Sequence, residues 1–134
     1  MKYKQSLYLV LAGIIFLSLT GCSEAKNTTD LRAQDVPTGT EQITFVELGS
    51  VKCIPCKQMQ PIMDEIEEQY AGKVKVVFHD VWSKDGKPYG KEYGIRLIPT
   101  QVFLDKEGNE VARHEGFFPK AEIEKILADN GVTQ

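Results

Sequence analysis

Hydrophobic positions fall into different regimes along the chain. From Leu7 to Leu19 they are nearly unbroken, from Ser23 to Thr40 they are sparse and aperiodic, and from Gln42 onward they follow the spacings of secondary structure. Ile43 to Leu48 reads as a strand, with Glu47 set between Val46 and Leu48. Met59, Ile62, Met63, Ile66 and Tyr70 recur at helical intervals and mark one face of a helix, which Pro61 is expected to kink. Lys73 to His79, carrying Val74, Val76, Val77 and Phe78, predicts a second strand and hence a βαβ unit. Beyond the polar stretch Ser83 to Gly90, a short helix is expected near Tyr89 to Tyr93. Thr100 to Leu104 and Glu110 to His114 read as strands joined into a hairpin by Asp105-Lys106-Glu107-Gly108-Asn109. A last helix, Lys120 to Asp129, carries Ile123, Ile126 and Leu127 on one face and stops at Asn130-Gly131. The class is α/β, a βαβ unit followed by ββα.

The first regime reads as an address. Lys2 and Lys4 precede an apolar run of roughly a dozen residues, shorter than the about 20 that span a bilayer, as in a signal peptide. Leu19-Thr20-Gly21-Cys22, at its end, resembles the bacterial lipobox, in which the cysteine receives lipid and becomes the mature N-terminus. The resemblance implies a signal peptide over 1–21 and lipidation of Cys22. With Ser23 rather than aspartate next to that cysteine, it also implies the periplasmic leaflet of the outer membrane in a double-membraned bacterium. In a single-membrane bacterium the outer face of the plasma membrane takes its place. A chance cysteine after an ordinary signal peptide, or an uncleaved anchor, is the alternative. Residues 22–40, rich in Ser, Thr, Asn, Asp and Gly, read as a flexible tether, to which Leu31 to Val36 could add a short helix or edge strand. Residues 41–134 are then the folded domain.

Composition narrows the classes of function. A chain of 134 residues has room for one core. Its formal charge is −3, falling to about −5 without Lys2 and Lys4, and no basic stripe with interleaved aromatics occurs. A nucleic-acid role therefore has no support.

The chemistry is concentrated at Cys53-Ile54-Pro55-Cys56, between the first strand and the first helix. A sulfur at a helix N-terminus meets unpaired N–H groups and the positive end of the helix dipole, which favour thiolate over thiol. Lowering a thiol pKa from about 8.5 to about 7 raises its ionised fraction at neutral pH from about 3% to about half. Setting Cys22 aside for lipid leaves Cys53 and Cys56 of the three cysteines, a pair that can cycle only with itself. The plainer readings are a structural disulfide or half of a metal site. Zinc would need further ligands, for which His79 and His114 lie far apart along the chain.

Together, the order of elements and a set of motifs resemble the thioredoxin family. The motifs are Cys53-Ile54-Pro55-Cys56-Lys57, Pro61-Ile62-Met63-Asp64-Glu65-Ile66, Tyr93-Gly94-Ile95-Arg96-Leu97-Ile98-Pro99-Thr100 and Gly116, spread over about Ile43 to Leu127. The resemblance implies a thioredoxin-like fold, a central mixed β-sheet flanked by helices, with a cis Ile98-Pro99 peptide beside a Cys53-Cys56 active-site disulfide. It implies thiol-disulfide oxidoreductase activity on disulfides of exported proteins, with no metal or organic cofactor. The redox donor stays unidentified. Pro55 occupies the position that holds proline in reducing members. An oxidase, a copper-handling lipoprotein using the same cysteines, and a non-catalytic binding module are the alternatives.

The resemblance also implies roles for single residues. Glu47, six residues before Cys53, matches a buried acid that exchanges protons with Cys56, and its strand face is shared with Ile43 and Phe45. A solvated edge carboxylate is the other reading. Ile98 and Pro99 would form the substrate shelf, pairing with an extended peptide. Lys57 either supports the thiolate or is simply solvated. Lys52 and Gly49 stand where the family commonly has aromatics. Trp82 either replaces them or packs in the core or rim. The family's usual first strand and helix are truncated into the tether.

Overall fold

The computed structural model describes residues 30–134, so the signal-peptide segment and Cys22 lie outside the described residues. Strand β1 (Ile43–Gly49) is buried along its whole length because both of its faces are covered. It pairs in parallel with β2 (Val74–Asp80) and antiparallel with β3 (Thr100–Asp105), which pairs antiparallel with β4 (Glu110–Glu115). The sheet order is β2-β1-β3-β4. The expected alternation of one buried face thus becomes burial on both, and the non-polar residues flanking Glu47 belong to a second core.

The first core lies under helix α1 (Ile54–Gln69) and helix α3 (Lys120–Asp129). Ile43 and Phe45 meet Met59, Met63 and Ile66 from α1 and Ile123 and Leu127 from α3. Phe45 stacks on Phe103 at 5.0 Å between centroids. Each such side chain contributes about 1.5–3 kcal/mol by leaving water. Helix α1 begins directly after Cys53, with Pro55 in its first turn, where a missing N–H costs nothing. It continues through Pro61 to Gln69, five residues longer at its start than the Met59 to Tyr70 periodicity marks out. The second core joins Val46 and Leu48 to Val102 and Leu104, beneath Val81 and Tyr93. Helix α2 (Lys87–Glu92) covers part of this face.

A strap formed by residues 31–36 covers the rest, inside the stretch read as a tether. It contains a short 3-10 turn, Arg32–Gln34, the short helix foreseen as an option there. No apolar period announces the strap because polar contacts hold it. Lys75 Nζ donates to the carbonyls of Gln34 (3.0 Å) and Val36 (3.3 Å), and Thr44 Oγ1 donates to that of Asp35 (2.8 Å). The Asp35 carboxylate, buried at 3% exposure, accepts the Tyr93 hydroxyl at 2.6 Å and lies 2.9 Å from His79 Nε2. His79 in turn stacks on Tyr89 at 3.6 Å. It is therefore occupied on the second face, not aimed at the cysteines. Among the described residues, Leu31 to Val36 already pack on the sheet, ten residues ahead of the boundary drawn from composition.

Removing the Asp35 carboxylate strands the buried Tyr93 hydroxyl and the partly buried His79 ring at once. Asp35→Ala is expected to cost about 2–4 kcal/mol in urea unfolding, with an unchanged denaturant slope. A loss below about 0.5 kcal/mol, the range of ordinary surface substitutions, would show that the strap is only draped on the sheet.

Candidate active site

The end of β1 sets the position of every reactive group. Gly49 is the last strand residue, and its carbonyl accepts the Val81 N–H at 2.9 Å, which pins the end of β1 to the end of β2. The chain then turns through Ser50, Val51 and Lys52. Ser50 is buried, its carbonyl accepts the Cys53 N–H at 3.1 Å and its hydroxyl accepts the Lys52 N–H at 3.2 Å. Asp80 grips the same turn. Burial pushes its carboxyl up, but hydrogen bonds from the Trp82 N–H, the Ser50 hydroxyl and the Val51 N–H outweigh that and hold it below the usual value.

Cys53 is the N-cap of α1, in extended backbone, and its carbonyl accepts the Lys57 N–H at 3.1 Å. Both cysteines are free thiols. They are unequal, since Cys53 is 8% exposed and Cys56, one turn into the helix, is 4% exposed. Burial first, then the hydrogen bond and charge of Cys53 and the charge of Glu47, push the Cys56 thiol up to about 12 against a pull from Ser50.

Glu47 is fully buried, which excludes the solvated-edge reading. Burial raises its pKa from 4.5 to about 7, partly offset by the hydrogen bond from Gln101. Gln101 Nε2 donates to Glu47 Oε2 at 2.9 Å. The two residues stand opposite one another in the β1–β3 register, while on β2 the residue opposite Glu47 is Phe78. Gln101 went unnoticed in the sequence. The signal was available, because a buried acid needs a donor and Gln101 is the polar residue that alternates with Phe103 on the inward face of β3.

Register also locates the shelf. Leu48 pairs with Thr100, so Pro99 lies at the end of β3 beside the end of β1 that leads to Cys53. The Ile98-Pro99 peptide is cis. The Pro99 carbonyl accepts the Gly116 N–H at 2.8 Å, and Thr100 Oγ1 donates to the Leu97 carbonyl at 2.8 Å. Around this mouth Ile54, Trp82, Val51 and Leu97 are exposed, Ile54 at 74% and Trp82 at 62%. Trp82 is thus a rim residue of a groove of about 590 Å³ shared with Leu97 and Ile98, and takes no part in the core. Lys57 is exposed and lines a second hollow, of about 380 Å³, together with Cys56 and Phe78.

The missing aromatic at Gly49 has a steric reason. A Cβ there would lie 3.2 Å from Cys56 Sγ, from Cys56 Cβ and from Phe78 Cε2. The backbone itself forms the floor of the dithiol.

A sheet of this order, with a helix-capping cysteine pair at one strand end and a cis-proline at its neighbour's, defines the thioredoxin-like class. The chain belongs to that family: residues 32–131 match the family described as Thioredoxin-like domain. Thioredoxin C-2 of Corynebacterium nephridii is 34% identical over 104 residues, covering 78% of this chain and 94% of that protein. Thioredoxin of Haemophilus influenzae is 30% identical over 105 residues, covering 78% and 95% respectively. Among solved structures, a mutant thioredoxin from Halobacterium salinarum superposes with a TM-score of 0.61 at 20% identity, over 72% of this chain and 80% of that one. The fold is therefore thioredoxin-like, and thiol-disulfide oxidoreductase is the activity that membership carries.

Because Glu47 binds its proton more tightly in the folded state, its contribution to stability is full below about 4.5 and lost as pH climbs through about 7. Wild type is expected to lose about 2–3 kcal/mol relative to Glu47→Gln between pH 5 and pH 8, read from urea unfolding at each pH. Parallel curves for the two proteins would mean that Glu47 ionises normally. Gly49→Ala is expected to cost about 1–3 kcal/mol through overpacking and to slow alkylation of Cys56, whereas unchanged stability and reactivity would show that the floor can yield.

Proposed function

We propose that the protein is a lipid-anchored, extracytoplasmic reductase of disulfides in exported proteins. The observation that carries the redox part is the inequality of the two sulfurs: Cys53 caps α1 at the mouth, while Cys56 is deeper and disfavoured as an anion beside Glu47. Cys53 is the attacking sulfur. Its thiolate displaces one sulfur of a substrate disulfide, forming a Cys53–substrate mixed disulfide and releasing the first substrate thiolate.

Capture removes the charge and the hydrogen bond of Cys53, two of the influences that keep Cys56 protonated; burial and the charge of Glu47 remain. The proton then passes from Cys56 to the Glu47 carboxylate. Cys56 attacks Cys53, the Cys53–substrate bond breaks, and the second substrate thiolate leaves. Two electrons have moved from the dithiol to the substrate, leaving a Cys53-Cys56 disulfide. None of these steps needs a metal or an organic cofactor.

By resemblance to the family, Pro55 and the Ile98-Pro99 pair support the reducing direction, and the shelf supports an extended peptide substrate. Among the described residues no backbone group engages the N–H or carbonyl of Ile98, so both are available to an added strand. The exposed apolar rim of Val51, Ile54 and Leu97 suits unfolded or flexible segments. The anchor rests on Leu19-Thr20-Gly21-Cys22 and the apolar run before it. An exported donor of reducing equivalents would return the disulfide to the dithiol.

With dithiothreitol as donor, the wild type is expected to reduce insulin at least tenfold faster than the Cys53→Ser variant. Cys56→Ser is expected to accumulate a mixed disulfide through Cys53 in the native host. Failure of both would remove the enzymatic reading, and equilibration with a glutathione buffer at an oxidising potential would convert it to an oxidase. Incorporation of labelled palmitate, lost in Cys22→Ala, checks the anchor.

A further inference from the structure

Glu47 Oε1 and Gln101 Oε1 are both buried and both without a hydrogen-bond partner. They belong to two planar groups already joined by one hydrogen bond, Gln101 Nε2 to Glu47 Oε2. An unpaired buried acceptor costs about 1–3 kcal/mol, so a pair of them on adjoining groups in a fully buried site calls for a donor. A carboxylate supplies none. One proton on Glu47 Oε1 supplies both needs, because a protonated carboxyl donates through its O–H and a side-chain amide accepts through its oxygen. The result is a ring of two hydrogen bonds, acid to amide and amide to acid.

We propose that Gln101 is the positioning residue of the proton site, holding Glu47 as a neutral acid whose Oε1–H donates to Gln101 Oε1 until Cys56 takes the proton. The inference rests on the redox reading above and deepens it. When a donor thiolate attacks Cys53 of the oxidised protein, a donor–Cys53 bond forms, the Cys53–Cys56 bond breaks, and Cys56 leaves as a thiolate. Glu47 gives that thiolate its proton, and Gln101 Nε2 remains bonded to the carboxylate oxygen left behind. In the resolving step the same proton returns from Cys56 to Glu47 and the ring closes again. The raised affinity of Glu47 for its proton agrees with this storage role.

The groups around Glu47 leave few competitors. Helix α1 presents Cys56, which is pushed up to about 12, with Cys53 at the helix mouth beyond it. Strand β2 presents Phe78 and β3 presents Gln101, neither of them ionisable. Strand β4 places His114 opposite Gln101 in the register, with its ring stacked on Phe118 at 4.0 Å and its Nε2 3.2 Å from the Phe117 carbonyl. His114→Phe replaces that ring with one that carries no ionisable group.

The test is infrared spectroscopy of the full chain with the Cys53-Cys56 disulfide formed, the state in which Glu47 alone holds the proton, with carboxyl-labelled glutamate, comparing pH 5 with pH 9 in the His114→Phe background. A protonated-carboxyl band is expected at pH 5, abolished by Glu47→Gln and shifted to the higher frequency of an unbonded acid by Gln101→Met. The pH midpoint of insulin reduction is expected to move by half a unit or more in Gln101→Met. Should that variant not fold, Glu47→Gln serves alone: its amide can replace the acid in the ring, so its thermal midpoint at pH 5 should equal that of wild type. A band that Gln101→Met leaves in place, or a Glu47→Gln protein that melts clearly lower at pH 5, overturns the proposal. Insulin reduction by the wild type is read separately. If it is absent while the band behaves as expected, the redox reading falls and Gln101 loses its role in turnover; if it is present while the band stays fixed, only the proton site falls.

Discussion

A carboxyl and a thiol are buried within one another's field at the top of β1, and neither can ionise cheaply while the other is charged. Glu47 and Cys56 are both pushed toward their neutral forms, chiefly by burial. Cys53, one helical turn before Cys56, is nearer the mouth and is the sulfur free to meet a partner. The order of events follows from this constraint. A buried thiol that resists ionisation does not compete for substrate, and it becomes a nucleophile only after the outer sulfur has been converted to a neutral mixed disulfide. The rest of the domain keeps that arrangement dry and in register: β2 and β3 flank Glu47, α1 carries both sulfurs, and Gly49 lets the backbone pass beneath them.

The two faces of the sheet are built by different means. Toward α1 and α3 the sheet is covered by aliphatic and aromatic packing of the ordinary kind, with Phe45, Phe103 and Met59 at its centre. On the other face a short helix and a strap suffice, and the strap relies on directional bonds around Asp35. Such bonds stabilise little on balance when formed but are costly to leave half-made, so they fix one position strongly.

Most of the fold was legible because its elements carry strong periods. Met59, Met63 and Ile66 announce α1, and Ile123 with Leu127 announces α3. The hairpin at Asp105 to Asn109 follows from its turn residues, with Gly108 at φ +85°. Ends were less visible: α1 starts at Ile54 because Cys53 caps it, a matter of backbone geometry rather than of apolar spacing. Of the strap only an optional short helix was legible, because Asp35, Lys75 and His79 are distant in sequence and nothing apolar links them. The dithiol and cis-proline stood out as motifs. Gln101 did not, since a single polar residue in a strand acquires meaning only when the register sets it against Glu47. Trp82, left open by the sequence between core and rim, is placed on the rim by the fold.

The strap also decides how the domain answers tension. A pull on the chain ahead of Asp30 reaches the sheet through side-chain bonds from Thr44, Lys75, His79 and Tyr93, not through a β-ladder. Those attachments are side-chain hydrogen bonds set ahead of the β1 ladder, apart from helix α1, which carries the dithiol. Load arriving from that side is thus borne first around Asp35 and only afterwards by the ladder that holds Glu47.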